Sequence, residues 1–286
     1  MKKHLRLTAL FLALSLLCPL LLACGEEDNR PVIAVTIPPE ADFVAAVGGE
    51  DFRIVTMVPP GYSPEAYEPT ARAMMEFSDA ALFFSIGVPV ETAVLLPSLS
   101  RGTRHVALEC AVRIKYPDLT IDGGRDPHIW LSPRRVKLMV KTVADELSLL
   151  CPERAEVYRE NAEAYCARID AADARIRTLL AECGMSEFIV YHPAFGYLAD
   201  EYGLTMHALE AHGSEATAAD MAALADLARE RGIKVIFYQA ETDGRQAAAF
   251  AEEIGGEAVM LSPLAENYVE NLEIMAEAIA NAMGEE

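Results

Sequence analysis

Positive charge is scarce in this chain: 24 Lys and Arg stand against 44 Asp and Glu, a formal net charge of −20. A surface that acidic repels phosphate backbones and disfavours nucleic-acid partners. No Cys-x-x-Cys pair occurs among the six cysteines, which excludes zinc fingers and thioredoxin-like redox chemistry. A His-Glu-x-x-His helix, the usual mark of a zinc hydrolase, is also missing. The longest apolar run, Leu7 to Ala23, falls short of a membrane span. Neither an internal repeat nor a low-complexity segment is visible. What remains is a 286-residue chain, 52% hydrophobic, with apolar content for at least one full core and length for two ordinary domains.

The first residues read as a leader. Lys2, Lys3 and Arg6 form a basic head before the apolar run, which ends in small residues as a secretory signal does. Leu21-Leu22-Ala23-Cys24-Gly25 resembles a bacterial lipobox, with cleavage before Cys24 and a lipid on its sulfur; a plain signal peptide is the alternative. The expectation is a signal peptide over 1–23, a tether over 24–30, and an exported chain held at the membrane by Cys24. Losing three cations and no acids, the mature chain carries 21 positive against 44 negative groups, or −23. Cys110, Cys151, Cys166 and Cys183 read as scattered thiols. Cys166 and Cys183 fall on one predicted helix, roughly 25 Å apart at the helical rise, too far to bridge.

Short β-branched runs alternate with helical stretches from Pro31 onward. Val32–Ile37, Arg53–Val58 and Ala81–Ile86 read as buried strands, and Glu187–Tyr191, Val235–Tyr238 and Ala258–Leu261 form a second set. Such alternation predicts an α/β fold with parallel sheets. Between the sets, Tyr158, Ala162, Tyr165, Ile169, Ala172, Ile176 and Leu179 recur at spacings of four and three, one apolar stripe on a helix from Pro152 to Gly184. A coiled-coil seam would give the same stripe. With an α/β set on each side, a rigid strut is preferred: an N-terminal lobe over 31–150, a linking helix over 151–184 and a C-terminal lobe over 185–286.

Chemistry concentrates beyond strand ends, the edge where open α/β sheets bind ligands. His128 lies in Asp126-Pro127-His128-Ile129-Trp130-Leu131-Ser132-Pro133, ahead of a helix for which Ser132 is the expected N-cap. His192 precedes Pro193, which favours extended backbone at the end of a strand. Glu65 follows the strand ending at Val58, and Glu241 follows the strand ending at Tyr238, with Asp243 in reserve. If two lobes face each other, His128, His192, Glu65 and Glu241 supply two imidazoles and two carboxylates, a set suited to a divalent transition ion. His105, His207 and His212 lack such surroundings and read as structural or solvent-exposed. Tyr67 and Trp130 are expected to pack around the cleft.

In these stretches the sequence resembles the zinc and manganese solute-binding lipoproteins of ABC importers. That family carries patterns close to P-P-G-x-S-P-H-x-Y-E-P-T, D-P-H-x-W-L-S-P and H-x-A-F-x-Y-x-x-x-Y-G-L. They correspond here to Pro59 to Thr70, Asp126 to Pro133 and His192 to Leu204, and Leu261-Ser262-Pro263-Leu264 is similar to a closing L-D-P-L. The resemblance implies two α/β lobes bridged by one long helix, with the metal between them. Several departures stand out. Glu65 and Ser262 replace the family's first metal histidine and its aspartate, and Gln239 falls where the family has a glutamate, with Glu241 two residues on. No His-rich loop occurs between Cys110 and Arg125. Fewer imidazoles tilt the set toward manganese, whereas the wording of the motifs is closer to zinc members, and zinc is favoured.

The expected function is capture of a divalent ion, zinc ahead of manganese, and delivery to an ABC permease by a lipid-anchored, extracytoplasmic monomer that catalyses nothing. A metal-dependent enzyme using His128 and His192, and an adhesion or scaffold lipoprotein, are the alternatives.

Overall fold

The computed structural model describes residues 28–121, 123–184, 186–210 and 216–284. The expected leader, Cys24 and His212 lie outside the described residues. In chain order the elements are β1 (Val32–Val35), α1 (Pro38–Gly48), β2 (Arg53–Thr56), α2 (Ala71–Ser78), β3 (Leu82–Ser85), β4 (Arg104–Ala107), α3 (Leu108–Arg113) and a small hairpin of β5 (Thr120–Ile121) and β6 (Gly124–Arg125). Then come α4 (Pro133–Leu150), α5 (Ala155–Glu182), β7 (Glu187–Val190), α6 (Gly196–Tyr202), β8 (Thr205–Ala208), α7 (Ala218–Arg231), β9 (Val235–Gln239), α8 (Arg245–Ile254), β10 (Glu257–Leu261) and α9 (Tyr268–Gly284).

Two four-stranded sheets result, ordered β2-β1-β3-β4 and β10-β9-β7-β8, with every pairing in them parallel. All four residues of β1 and of β3 are buried, as a parallel strand covered on both faces requires. Alternation sorts β7 between two clusters: Phe188 and Val190 join the main core, while Ile189 and Tyr191 join a smaller cluster with Ile236 and Phe250. Each predicted strand is present. β4 and β8, which the apolar runs did not reveal, are edge strands that begin on exposed Arg104 and Thr205. Edge strands with solvent-facing polar residues carry little hydrophobic signal.

The strut is α5, 28 residues long after a 3₁₀ turn at Pro152–Arg154. Its buried face runs from Tyr158 through Ile176 as the stripe predicts and ends on Leu180, with Leu179 only partly buried. A 3.6-residue helix drifts against a repeat of alternating fours and threes, which moves the last contact by one position. Tyr158 and Tyr165 donate their hydroxyls to Asp51 and Asp42 of the first lobe, at 2.9 and 2.5 Å. Further along, Arg168 and Arg175 pair with Glu270 and Glu273 on α9. A single main core reaches from Ile33 to Met283 and includes both ends of the strut.

Other ties join the lobes beside the metal motifs. The Trp130 indole donates to the Pro263 carbonyl at 2.9 Å, and Leu119 N–H donates to the Tyr197 hydroxyl at 3.0 Å. Ser132 stands at the start of α4 but does not cap it with its side chain. Its hydroxyl donates instead to Glu201 Oε2 on α6 at 2.5 Å, where Arg134 and Arg177 also converge on the carboxylate. Pairing Glu201, whose side chain is 4% exposed, takes precedence over capping, because an unpaired buried carboxylate costs more than an uncapped helix start. Cys110, Cys151 and Cys166 are free thiols. Among the described residues no helix is long and apolar enough to cross a membrane.

Candidate metal centre

Three of the four sequence-derived donors meet. Glu65, His128 and His192 each offer one ligand atom, all within 4.8 Å of one another. Glu65 Oε1 lies 3.2 Å from His192 Nε2 and 3.9 Å from His128 Nε2, and the two imidazole rings stand at 74° with centroids 5.4 Å apart. Tetrahedral zinc with donors near 2.0–2.1 Å places neighbouring donors roughly 3.3 Å apart. The observed spacing matches that demand to within a small side-chain adjustment.

Each donor is delivered by a different local structure. Glu65 sits in the turn between β2 and α2. Tyr62 N–H donates to the Pro59 carbonyl, Ala66 N–H to Ser63, and Thr70 Oγ1 caps α2 by accepting from Ala73 N–H. Val90 N–H donates to the Pro64 carbonyl at 3.2 Å, pinning the residue before Glu65 to the segment that follows β3. His128 opens the 3₁₀ turn Ile129–Leu131. Asp126, fully buried, accepts on one oxygen from both the backbone N–H and Nδ1 of His128, at 2.9 and 2.8 Å. Gly196 makes room for it: a Cβ there would fall 2.6 Å from Asp126 Oδ2. His192 follows β7, and its Nδ1 lies 2.6 Å from Glu210 Oε2. Both rings therefore turn Nε2 inward and Nδ1 toward a carboxylate.

Electrostatics follow from that arrangement. Burial opposes the charged form of His192, but Glu210 and Glu65 outweigh it and push the pKa up to about 9. The hydrogen bond from His192 holds the Glu65 carboxyl below its usual range against the opposing effect of burial. A proton on His192 Nε2 must leave before that nitrogen can bind a metal. The Glu65 side chain is 37% exposed while those of His128 and His192 are 8% and 11%, so the site opens on the Glu65 side.

Glu241 and Asp243 lie outside the three-residue group. Burial raises the Glu241 carboxyl, and its Oε2 is buried without a hydrogen-bond partner among the described residues. Asp243 is paired with Arg245 and lines an open cavity of about 520 Å³ together with Tyr191 and Glu210. Gln239 is buried at the end of β9, and the Ser262 carbonyl accepts from Asn271 at 2.7 Å. Trp130 is buried, 5.3 Å from the His128 ring, and Tyr67 packs on Tyr62.

Two supporting residues were not assigned from sequence. Asp126 could have been found from its spacing, since an aspartate two residues ahead can bond the backbone and ring of a histidine. Glu210 had no local signal, because its place depends on the pairing of β8 with β7.

Comparisons with known proteins identify the family. The family described as ZnuA, zinc-uptake complex component A, periplasmic, matches residues 33–282. The zinc-binding lipoprotein AdcA of Streptococcus pneumoniae is 28% identical over 305 residues, covering 96% of this chain and 61% of the relative. The chain thus spans less than two thirds of that relative's length. The high-affinity zinc uptake system protein ZnuA of Bacillus subtilis is 28% identical over 270 residues, covering 86% of this chain and 85% of the relative. A crystal structure of ZnuA superposes with a TM-score of 0.84 at 30% identity, covering 89% of this chain and all of the other. The periplasmic zinc-binding protein TroA of Treponema pallidum shares the fold, with a TM-score of 0.83 at 23% identity. With nearly every described element inside the matched region, the chain belongs to the ZnuA family of zinc-uptake components.

Proposed function

We propose that this protein captures zinc, and manganese less well, outside the cytoplasmic membrane and hands it to an ABC importer. The observation that carries the reading is the meeting of Glu65, His128 and His192, with both rings oriented by carboxylates. Glu241 is the proposed fourth donor, drawn in because its buried oxygen lacks a partner, and Asp243 is the reserve. A fourth protein donor would close the coordination sphere to water and separate a carrier from a hydrolase, which keeps one position open. The lipid at Cys24 would hold the chain at the membrane as a monomer beside its permease, with lobes divided at 31–150 and 185–286 around the helix of 151–184.

Native purification followed by elemental analysis tests the reading. One zinc per chain, retained through dialysis and without hydrolytic activity, is the expected result. A chain that neither retains nor takes up zinc or manganese rules it out.

A further inference from the structure

His192 is steered by a residue from outside every recognisable motif. The β7–β8 ladder pairs Val190 with Ala208 and then continues past both strand ends. Leu209 N–H donates to the Val190 carbonyl at 2.9 Å, and Glu210 N–H donates to the Tyr191 carbonyl at 2.8 Å. That extension sets the backbone of Glu210 beside His192, and the carboxylate closes on Nδ1 at 2.6 Å. The Glu210 and His192 side chains are 19% and 11% exposed, so the contact is only partly open to water.

An imidazole whose Nδ1–H is held by a carboxylate has only Nε2 free to bind metal. In His192 that nitrogen faces Glu65 Oε1 at 3.2 Å, on the side where His128 also presents Nε2. Asp126 does the same for His128 but is tied to it through the adjacent backbone. Glu210 reaches its histidine only through tertiary structure.

We infer that Glu210 is a positioning residue for metal capture: it fixes His192 as an Nε2 donor and sets a second negative charge behind the C-terminal side of the site. The inference rests on the function proposed above. Glu210 does not touch the ion; it acts through the ring.

The test uses the full chain with ¹⁵N-labelled histidine, loaded with zinc, and long-range ¹H–¹⁵N correlation to show which His192 nitrogen carries the metal. The parent should give one pattern, Nε2 on zinc and Nδ1 protonated. Glu210→Ala should give a mixed or Nδ1-bound pattern and raise the zinc Kd about 10- to 100-fold. Glu210→Gln, whose side-chain oxygen can still accept from Nδ1–H, should keep the single pattern. Should the alanine variant fail to fold, Glu210→Leu, close in size and without an acceptor, makes the same test. A variant lacking the acceptor that retains the single Nε2-bound pattern overturns the inference, whatever its affinity. A parent chain that takes up no zinc overturns the function itself, a separate result visible before any variant is made.

Discussion

The two lobes share a topology and use it differently. From one edge, the first sheet runs β2-β1-β3-β4 and the second β8-β7-β9-β10, so each places its second strand, then its first, third and fourth. In such sheets the ligand crevice lies between the first and third strands, beyond their carboxyl ends. In the C-terminal lobe that crevice carries the candidate ligand His192, which follows β7, and the Glu241 loop, which follows β9. The N-terminal lobe fills the equivalent place with its own acids. Glu40 accepts from the N–H groups of Thr36 and Ile37, both at 3.0 Å, beyond β1. Glu91 accepts from Ile86 and Gly87 beyond β3, at 2.9 and 2.7 Å, and from the Thr36 hydroxyl at 2.6 Å. Glu65 and His128 are therefore presented from the β2 loop and from beyond the β5–β6 hairpin. A shared strand order locates a crevice but does not say what occupies it.

The largest test of this asymmetry removes one imidazole from each side. Both His128→Ala and His192→Ala should weaken zinc binding by more than the roughly 100-fold upper cost of losing a supporting partner, without unfolding the chain. Competition against a chelator, with circular dichroism as control, measures this. If His192→Ala binds like the parent, the C-terminal crevice is not the cargo site.

Charge is the next discriminator. The first lobe supplies the carboxylate Glu65, and the second is expected to supply Glu241. Glu65→Gln should cost about 10- to 100-fold in affinity, an effect on the scale of a lost supporting group. Glu241→Gln should cost more than Ser262→Ala. The reverse order would remove Glu241 from the ligand set.

Protons sharpen the contrast further. An unperturbed histidine would compete with metal only below about pH 6.5. With its pKa pushed up to about 9, His192 is protonated at neutral pH, so zinc uptake must release its proton there. Apparent affinity should fall as pH drops below about 9, by up to tenfold per unit. Titration calorimetry at pH 8 in buffers of different ionisation enthalpy should report close to one proton released; none released would contradict the Glu65–His192–Glu210 arrangement.

How much of this was legible in the sequence depends on the range of the interaction. Buried strands such as β1 and β3 announce themselves as apolar runs, and the strut announces itself through its stripe. The meeting of the candidate donors Glu65, His128 and His192 was legible because each lies just beyond a strand or ahead of a helix, and because their flanking residues resemble a known family. Edge strands β4 and β8 were not, since none of their residues is fully buried and each begins on an exposed polar residue. Glu210 inherits that blindness from β8. Ser132 is the N-cap by position, as expected, but local rules see only the helix start, while Glu201, 69 residues away, decides where the hydroxyl goes.

The smallest predicted effect concerns the acids of the first lobe. Burial, together with the charge of Glu91, holds the Glu40 carboxyl well above its usual range, and burial takes Glu91 to about 7. Glu109 adds repulsion to both. The folded chain then binds more protons than the unfolded chain between about pH 4.5 and 7 or higher, so stability should decline as pH rises through that window. Glu40→Gln keeps an acceptor for the two backbone hydrogen bonds that Oε2 takes and removes the charge. It should stabilise the chain at pH 8 and change little near pH 4.5, read from urea unfolding. Equal effects at both pH values would mean that Glu40 is not a titrating liability.

One packing contact bears on how the chain is made. Phe43, in the first helix of the first lobe, meets the ring of Tyr268 edge-on at 5.1 Å, and Tyr268 N–H donates to Asp42 across 226 positions of sequence. The N-terminal half emerges from the ribosome first yet cannot complete its own interior until α9 has been synthesised. Contacts so distant in sequence form late and delay folding. Such a delay would suit a polypeptide that must cross a membrane as an open thread and fold on the far side.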